Sequence, residues 1–194
     1  YEGSKIIYNK NTGYYYLFVS MGDLNNDYRV GMGRSKDVTG PYIDAGGKNM
    51  KFDKPWLSAD FHAVGSKIIG AYQLKNELGW RCQGGQSIMR TDDGKIIFAC
   101  HSRTNFQPGY YFYLQIHQMF FTSDGWPVLN MNEYYNDYDG KDEQLAKLSV
   151  KEIAGTYDTV VTVRGSDSRI YTPYGSASVN CNAYDAPPTE SQEA

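Results

Sequence analysis

The sequence predicts an all-β protein made of two successive four-stranded units. Three observations carry that expectation. Tyrosine is the compositional outlier, with 18 copies in 194 residues beside 20 glycines, and Tyr favours strands because its ring packs on a pleated surface while its hydroxyl reaches a polar partner. Before residue 140 no stretch of useful length carries the helical period. Short apolar runs alternate there with clusters of turn-forming residues. Finally, the layout Asn11-Thr12-Gly13-Tyr14-Tyr15-Tyr16-Leu17-Phe18-Val19-Ser20 returns as Asp92-Asp93-Gly94-Lys95-Ile96-Ile97-Phe98-Ala99-Cys100-His101.

The first unit opens with a strand over Lys5 to Tyr8, led in by Glu2 and Gly3. Asn9 to Gly13 form a turn, being rich in residues that tolerate left-handed backbone. Tyr14 to Ser20 make a buried strand, residues 22–27 a polar loop, and Tyr28 to Ser35 a third strand closed by the turn Asp37 to Tyr42. Residues 43–63 are irregular, and Lys67 to Tyr72 supply the fourth strand. The second unit repeats this plan. Gln86 to Arg90 form a strand, Thr91-Asp92-Asp93-Gly94 a hairpin turn with the Asp-Gly signature, and Lys95 to His101 a buried strand. Tyr110 to Phe121 form a long strand, and after the turn Thr122 to Pro127 a last strand starts at Val128-Leu129. Two such units in succession are the mark of propeller blades.

Beyond about residue 135 the character changes to a charged linker. Ser149 with Glu152 has the form of a capping box for one helical turn. Thr156 to Val163 and Ile170 to Val179 read as strands. Residues 136–186 are thus expected to be a linker and the start of a small accessory β domain, and residues 187–194, without an apolar anchor, a mobile tail.

Composition narrows the functional classes. A net charge of -3 and a sequence pI of about 5.6 argue against nucleic acid or an anionic membrane as partner, since both require a basic field. No apolar run approaches the ~20 residues of a membrane-spanning helix. The chain starts at Tyr1 without Met or a visible signal peptide, as expected of a mature, trimmed or partial chain. Cys82, Cys100 and Cys181 have neither the number nor the spacing of a zinc ligand set or a disulfide framework. Cys100, inside the run Ile96 to Cys100, reads as an inert core residue.

Several motifs in order resemble the arabinanases of glycoside hydrolase family 43. They are Glu2-Gly3 before a strand, Gly13 to Ser20, and Tyr28-Arg29-Val30-Gly31-Met32-Gly33-Arg34-Ser35 running on to Gly40-Pro41-Tyr42. Then come Ser87 to Gly94, Cys100-His101-Ser102-Arg103, His117 to Phe121, and Asp124 to Val128. The likeness covers about residues 1–135, and Ile153 to Tyr157 are similar to the start of the extra β domain of two-domain members. It implies blades four and five of a five-bladed β-propeller and hydrolysis of α-1,5-linked L-arabinofuranose chains of plant cell-wall arabinan. The family inverts the anomeric centre with an Asp base, an Asp that tunes the acid, and a Glu acid at the head of the fourth blade. Glu2 matches that acid, and neither Asp motif occurs in this sequence. The resemblance therefore places the base and the tuning Asp in an N-terminal propeller segment, part of the same protein or a second chain. It further implies a secreted or periplasmic bacterial enzyme acting on arabinan or arabino-oligosaccharide.

Site residues follow from the same motifs. His101 matches a histidine that, in the family, lies on the propeller axis beneath the active site and touches a calcium or another cation such as sodium, often through water. Read from sequence alone, it is a strand-end histidine bonded to backbone. Where relatives often show Gly-His-Asn-Ser, this chain has Gly84-Gly85-Gln86-Ser87. Arg29, Arg34 and Arg103 are candidates to bridge sugar hydroxyls, and Tyr28 and Trp80 to stack on sugar rings. Salt bridges and wall packing are the structural alternatives. Asp23, Asp27 and Asp60 are the acids nearest to hand that could replace the missing base, although loop aspartates more often serve turns. Two other functions remain open at this point: an arabinofuranosidase or β-xylosidase of the same family, and a non-catalytic carbohydrate-binding propeller fragment.

Overall fold

A computed structural model describes residues 1–22, 24, 28–51, 64–72, 79–104 and 111–134. Eight strands occur among them: β1 (Glu2–Asn9), β2 (Tyr14–Met21), β3 (Arg29–Ser35), β4 (Ser66–Ile69), β5 (Trp80–Arg90), β6 (Ile96–Thr104), β7 (Tyr113–Phe121) and β8 (Pro127–Leu129). They form two four-stranded sheets, β1-β2-β3-β4 and β5-β6-β7-β8, and every neighbouring pair is antiparallel. The all-β expectation and the two meanders are thus both present. The proposed helical turn, the accessory strands, Cys181 and the tail lie outside the described residues.

The hairpin turns form where Gly takes the left-handed backbone that a tight reversal needs. At Thr91 to Lys95, Thr91 N–H donates to the Lys95 carbonyl at 2.9 Å and Gly94 N–H to Thr91 at 3.0 Å, with Gly94 at φ 90°. Thr122 to Trp126 repeats the same bonds at 2.9 and 2.8 Å, with Gly125 at φ 78°.

The sheets pack face to face through one apolar core. Tyr16, Phe18, Val30, Met32 and Ile69 from the first sheet meet Ile96, Phe98, Met119 and Phe121 from the second. Phe18 stands edge-on to Phe98 at 6.4 Å and Tyr16 to Phe121 at 5.1 Å. Beside Phe121, the Tyr16 hydroxyl donates to the Gly125 carbonyl at 2.6 Å. The Arg34 guanidinium lies over Tyr14 and Trp126, 4.5 and 4.1 Å from their centroids, and donates to the Asp124 carbonyl at 2.7 Å. These contacts lock the turn end of the sheets together. Cys100 is buried in the same core, and burial pushes its thiol up to about 12, which leaves it inert as expected.

Several strands differ from their expected limits: β4 ends at Ile69 rather than Tyr72, and β7 starts at Tyr113. β1 takes in Glu2, which pairs with Ser20 across a register shift between Glu2 and Lys5. β5 starts at Trp80, six residues before the expected Gln86, and is interrupted by register shifts between Arg81 and Gly84 and between Gly84 and Ser87. Those bulges break the alternation of buried and exposed side chains, so the sequence pattern alone starts the strand too late. β6 runs on to Thr104 because this first part of β5 pairs with it, Trp80 opposite Thr104 and Arg81 opposite Arg103. His101 therefore sits inside a strand rather than at its end.

Truncation of the inter-sheet contact tests this core. Phe98 is fully buried, and Phe98→Ala is expected to lower stability by about 3–5 kcal/mol, read as a shift in the urea unfolding midpoint.

Candidate active site

The bulged ends of β1 and β5 face one another, and the candidate residues gather there. Gly3 lies in the left-handed region at φ 61° and Gly85 at φ 58°. A Cβ built on Gly3 would lie 3.8 Å from the Gly85 Cα. Backbone bulges free N–H and C=O groups from the ladder, and these need other partners. Here Ser20 and Gln86 supply them. Gly85 N–H donates to Ser20 Oγ at 2.9 Å, Ser20 Oγ–H to Gln86 Oε1 at 2.7 Å, and Gln86 Nε2–H to the Gly3 carbonyl at 2.7 Å.

Glu2 projects from this bulge, exposed, and its Oε1 accepts a hydrogen bond from the Tyr28 hydroxyl. Tyr28 is buried. Burial, then the hydrogen bond to Glu2, raise its pKa far above the ordinary phenol value, so Tyr28 keeps its proton and acts as a donor. Its ring passes over β5 where there is no room for a side chain: a Cβ on Gly84 would lie 2.1 Å from Tyr28 Cε1. The other face of the site is His101, stacked on Tyr28 at 5.9 Å and edge-on to Phe112 at 4.8 Å. A Cβ on Gly85 would approach His101 Cδ2 to 2.9 Å. Gly84-Gly85 thus clears the volume that both rings occupy.

Burial pushes the His101 pKa down, and the Arg103 guanidinium lowers it further. The Glu2 charge and a hydrogen bond with the Cys82 backbone oppose them. Arg103 is buried under the half-exposed Phe112, 4.4 Å from the ring centroid. Cys82 packs with Tyr28, holds φ 57° and directs its thiol to the Leu24 carbonyl at 3.1 Å.

The expected residues therefore fall into distinct places. Glu2, Tyr28, His101 and Arg103 form one continuous cluster. Trp80, at the start of β5, stands edge-on to Tyr113 at 6.1 Å, and Arg29 is buried at the start of β3 with its charge beside Tyr1. Arg34 braces the turn end of the sheets and is not part of this cluster. Asp23, Asp27 and Asp60 lie outside the described residues. Sequence reading missed Ser20, Gln86 and Phe112. The Gly84-Gly85 pair was the available signal, since glycines inside a strand mark a bulge or a close approach.

Residues 1–127 match the model of glycosyl hydrolases family 43. The chain belongs to this family. Within it, the extracellular endo-alpha-(1->5)-L-arabinanase 2 of Bacillus subtilis is 30% identical over 171 residues, covering 82% of this chain and 35% of the relative. The crystal structure of an endo-1,5-alpha-L-arabinanase from Thermotoga petrophila superposes with a TM-score of 0.73 at 29% identity, covering 88% of this chain and 38% of that one. A Cellvibrio cellulosa alpha-L-arabinanase complexed with arabinohexaose superposes with a TM-score of 0.50 at 29% identity, covering 66% and 36%. The chain thus spans little more than a third of the length of these relatives.

A cation site of the kind expected at His101 can be compared with the residues present. No group of three or more His, Cys, Asp or Glu side chains is gathered among the described residues. His101 Nδ1 is buried and has no hydrogen-bond partner among them. A neutral imidazole nitrogen in that state fits contact with a cation or its water shell.

The two described histidines make stability depend on pH. Burial lowers the pKa of His117 as well as His101. His117 Nδ1–H donates to the Asn130 carbonyl at 2.9 Å, and its Nε2 is buried with no hydrogen-bond partner among the described residues. Both rings are neutral above the unfolded value of 6.5, where the folded state has its full advantage. As pH falls below that value the unfolded chain binds protons that the folded rings resist, so stability declines. Unfolding in denaturant is expected to show a lower midpoint at about pH 5.5 than at pH 7.5, with a smaller difference in His117→Asn, which keeps a donor to Asn130. Asp37 and Asp93, whose pKa values are lowered by hydrogen bonds from Thr39 and Thr91, lose their contribution only at lower pH, around 4 and below.

Proposed function

We propose that this chain carries the general acid of a secreted, inverting arabinan hydrolase and forms blades four and five of its five-bladed propeller. Glu2 is the acid. The observation that carries this reading is the Glu2 carboxyl, exposed to a substrate on one side and held by the buried Tyr28 hydroxyl on the other, in a chain of a glycoside hydrolase family. In a single displacement, Glu2 gives its proton to the leaving glycosidic oxygen while water attacks from the opposite face. The Tyr28 O–H then stabilises the carboxylate that Glu2 becomes. A base ~6.5–9.5 Å from the acid holds the attacking water. We place that base, and the Asp that tunes the acid, in an N-terminal propeller segment.

The first sheet supports such a neighbour. Its strand β2 is apolar on both sides. Tyr14, Tyr16 and Phe18 face the second sheet, while Tyr15, Leu17, Val19 and Met21 pack in a separate cluster with Tyr42 and Met50. On that outer side Ile6, paired with Leu17, and Tyr8, paired with Tyr15, are about half exposed. A preceding blade would cover them, as the second sheet covers the inner face.

The substrate reading is arabinan or arabino-oligosaccharide, supported by the arabinanases that this chain resembles. Tyr28 and Arg103 then border the sugar site, with Arg29 and Trp80 further along the same strand ends. His101 would hold a calcium or sodium ion on the propeller axis through water. When bound, that ion would supply positive charge beneath the site. The imidazole itself supports the Tyr28 ring that donates to Glu2. Residues 136–186 are assigned to the linker and accessory β domain.

Glu2→Gln in the complete polypeptide tests the acid. Proton transfer contributes roughly 10²–10⁴-fold, so hydrolysis of linear arabinan is expected to fall by that factor with oligosaccharide binding retained. An aryl arabino-oligosaccharide with a nitrophenolate leaving group needs no proton and is expected to lose far less. Equal losses on both substrates, or no loss on arabinan, would overturn the assignment.

A further inference from the structure

We propose that Gln86 is the positioning residue for the acid, fixing the backbone bulge from which Glu2 projects. This inference rests on the reading of Glu2 as general acid. Gln86 lies on β5, in the second sheet, with 1% of its surface exposed. Both ends of its amide are engaged across the sheet interface: Nε2–H donates to the Gly3 carbonyl, and Oε1 accepts from Ser20. Gly3 follows Glu2 directly, at φ 61°, inside the stretch where the β1–β2 register shifts. Its carbonyl is a displaced ladder group, and Gln86 meets it with a donor from outside the sheet.

The other half of the arrangement is the bulge in β5. The shift between Gly84 and Ser87 turns the Gly85 N–H toward the first sheet, where Ser20 Oγ accepts it. Ser20 pairs with Glu2 across the ladder, and its hydroxyl lies close enough to the Tyr28 phenol to influence its pKa. The chain of bonds therefore runs from β5 through Gln86 to the backbone beside Glu2, and from Gly85 and Gln86 to Ser20, the ladder partner of Glu2. Glu2 is exposed and has a flexible side chain. Its direction depends on these two buried anchors, which pack against different strands.

A side chain at position 86 must be long enough to reach Gly3 and must both donate and accept. Gln does both. Leu has the same size and can do neither. A buried amide bonded at both ends adds little net stability over an apolar isostere, whereas it fixes a geometry that an apolar contact leaves loose.

The test is steady-state kinetics of the complete polypeptide on linear arabinan and on the nitrophenyl arabino-oligosaccharide. Gln86→Leu is expected to lower kcat on arabinan about 10–100-fold with KM nearly unchanged, to shift the alkaline limb of its pH profile, and to leave the aryl substrate within about threefold. Gln86→Glu, which keeps the acceptor to Ser20 but sets an anion against the Gly3 carbonyl, is expected to show the same selectivity. Ser20→Ala, a smaller change that leaves Gln86 in place, provides the third variant should either substitution at 86 fail to fold, and is expected to move in the same direction. Parallel losses on both substrates, tracking a lowered unfolding midpoint, would show that Gln86 only joins the sheets and would overturn the inference. Full arabinan activity in Glu2→Gln would overturn the reading of Glu2 and this inference with it. An inactive Glu2→Gln beside unselective Gln86 variants would overturn the inference alone.

Discussion

Face-to-face packing of two antiparallel sheets is the constraint on which the remaining structure depends. Phe18 against Phe98 and Tyr16 against Phe121 fix the distance and the relative orientation of the sheets. Apolar burial stabilises such an interface but specifies position poorly, because one hydrophobic contact can slide over another at small cost. Polar ties at both ends remove that freedom. At the turn end Tyr16 and Arg34 bond to backbone carbonyls of the turn before β8. At the other end Gln86 and Ser20 join two backbone bulges.

This division of labour explains where the chemistry sits. A regular ladder satisfies its own backbone groups and points side chains up or down from the sheet. The bulges in β1 and β5 break that rule at one place. They release a carbonyl and an N–H, bring Gly3 toward Gly85, and leave room for Tyr28 and His101 over Gly84 and Gly85. An exposed carboxyl then stands beside a buried phenol that keeps its proton and an imidazole kept neutral by burial and by Arg103. A change of one residue in either bulge would turn the following side chains to the other face of the sheet, so the site depends on register more than on any single contact.

Much of the fold was legible in the chain because its signals are local. The Asp-Gly turn at Asp93-Gly94 and the apolar run Ile96 to Cys100 each describe a neighbourhood of a few residues, and the structure shows both where they were expected. Boundaries failed where neighbourhood ceased to decide. Residues Trp80 to Gly85 do not read as strand, since Arg81, Gln83 and two glycines break the alternation, yet β6 pairs with them through two bulges. The site was half legible. Glu2, His101 and Arg103 stood out through motif likeness, and Tyr28 through its type. Ser20 and Gln86 look like ordinary polar residues in strands, because their role exists only across the sheet interface. Gly85-Gln86 reads in sequence as a departure from the motif of the family it resembles, but in the structure these residues connect β5 to β1 and β2.

The sequence by itself determined the all-β class, the two meanders, most turns and the family to which the chain belongs, since spacing and local backbone preference suffice for each. Only the tertiary structure decided that Tyr28 holds Glu2, that His101 lies between two aromatic rings, that Arg34 braces the far end, and that Gln86 reaches Gly3 across 83 positions of chain. Those contacts join residues that are remote in sequence, and their partners are set by how the two sheets meet rather than by any pattern along either strand.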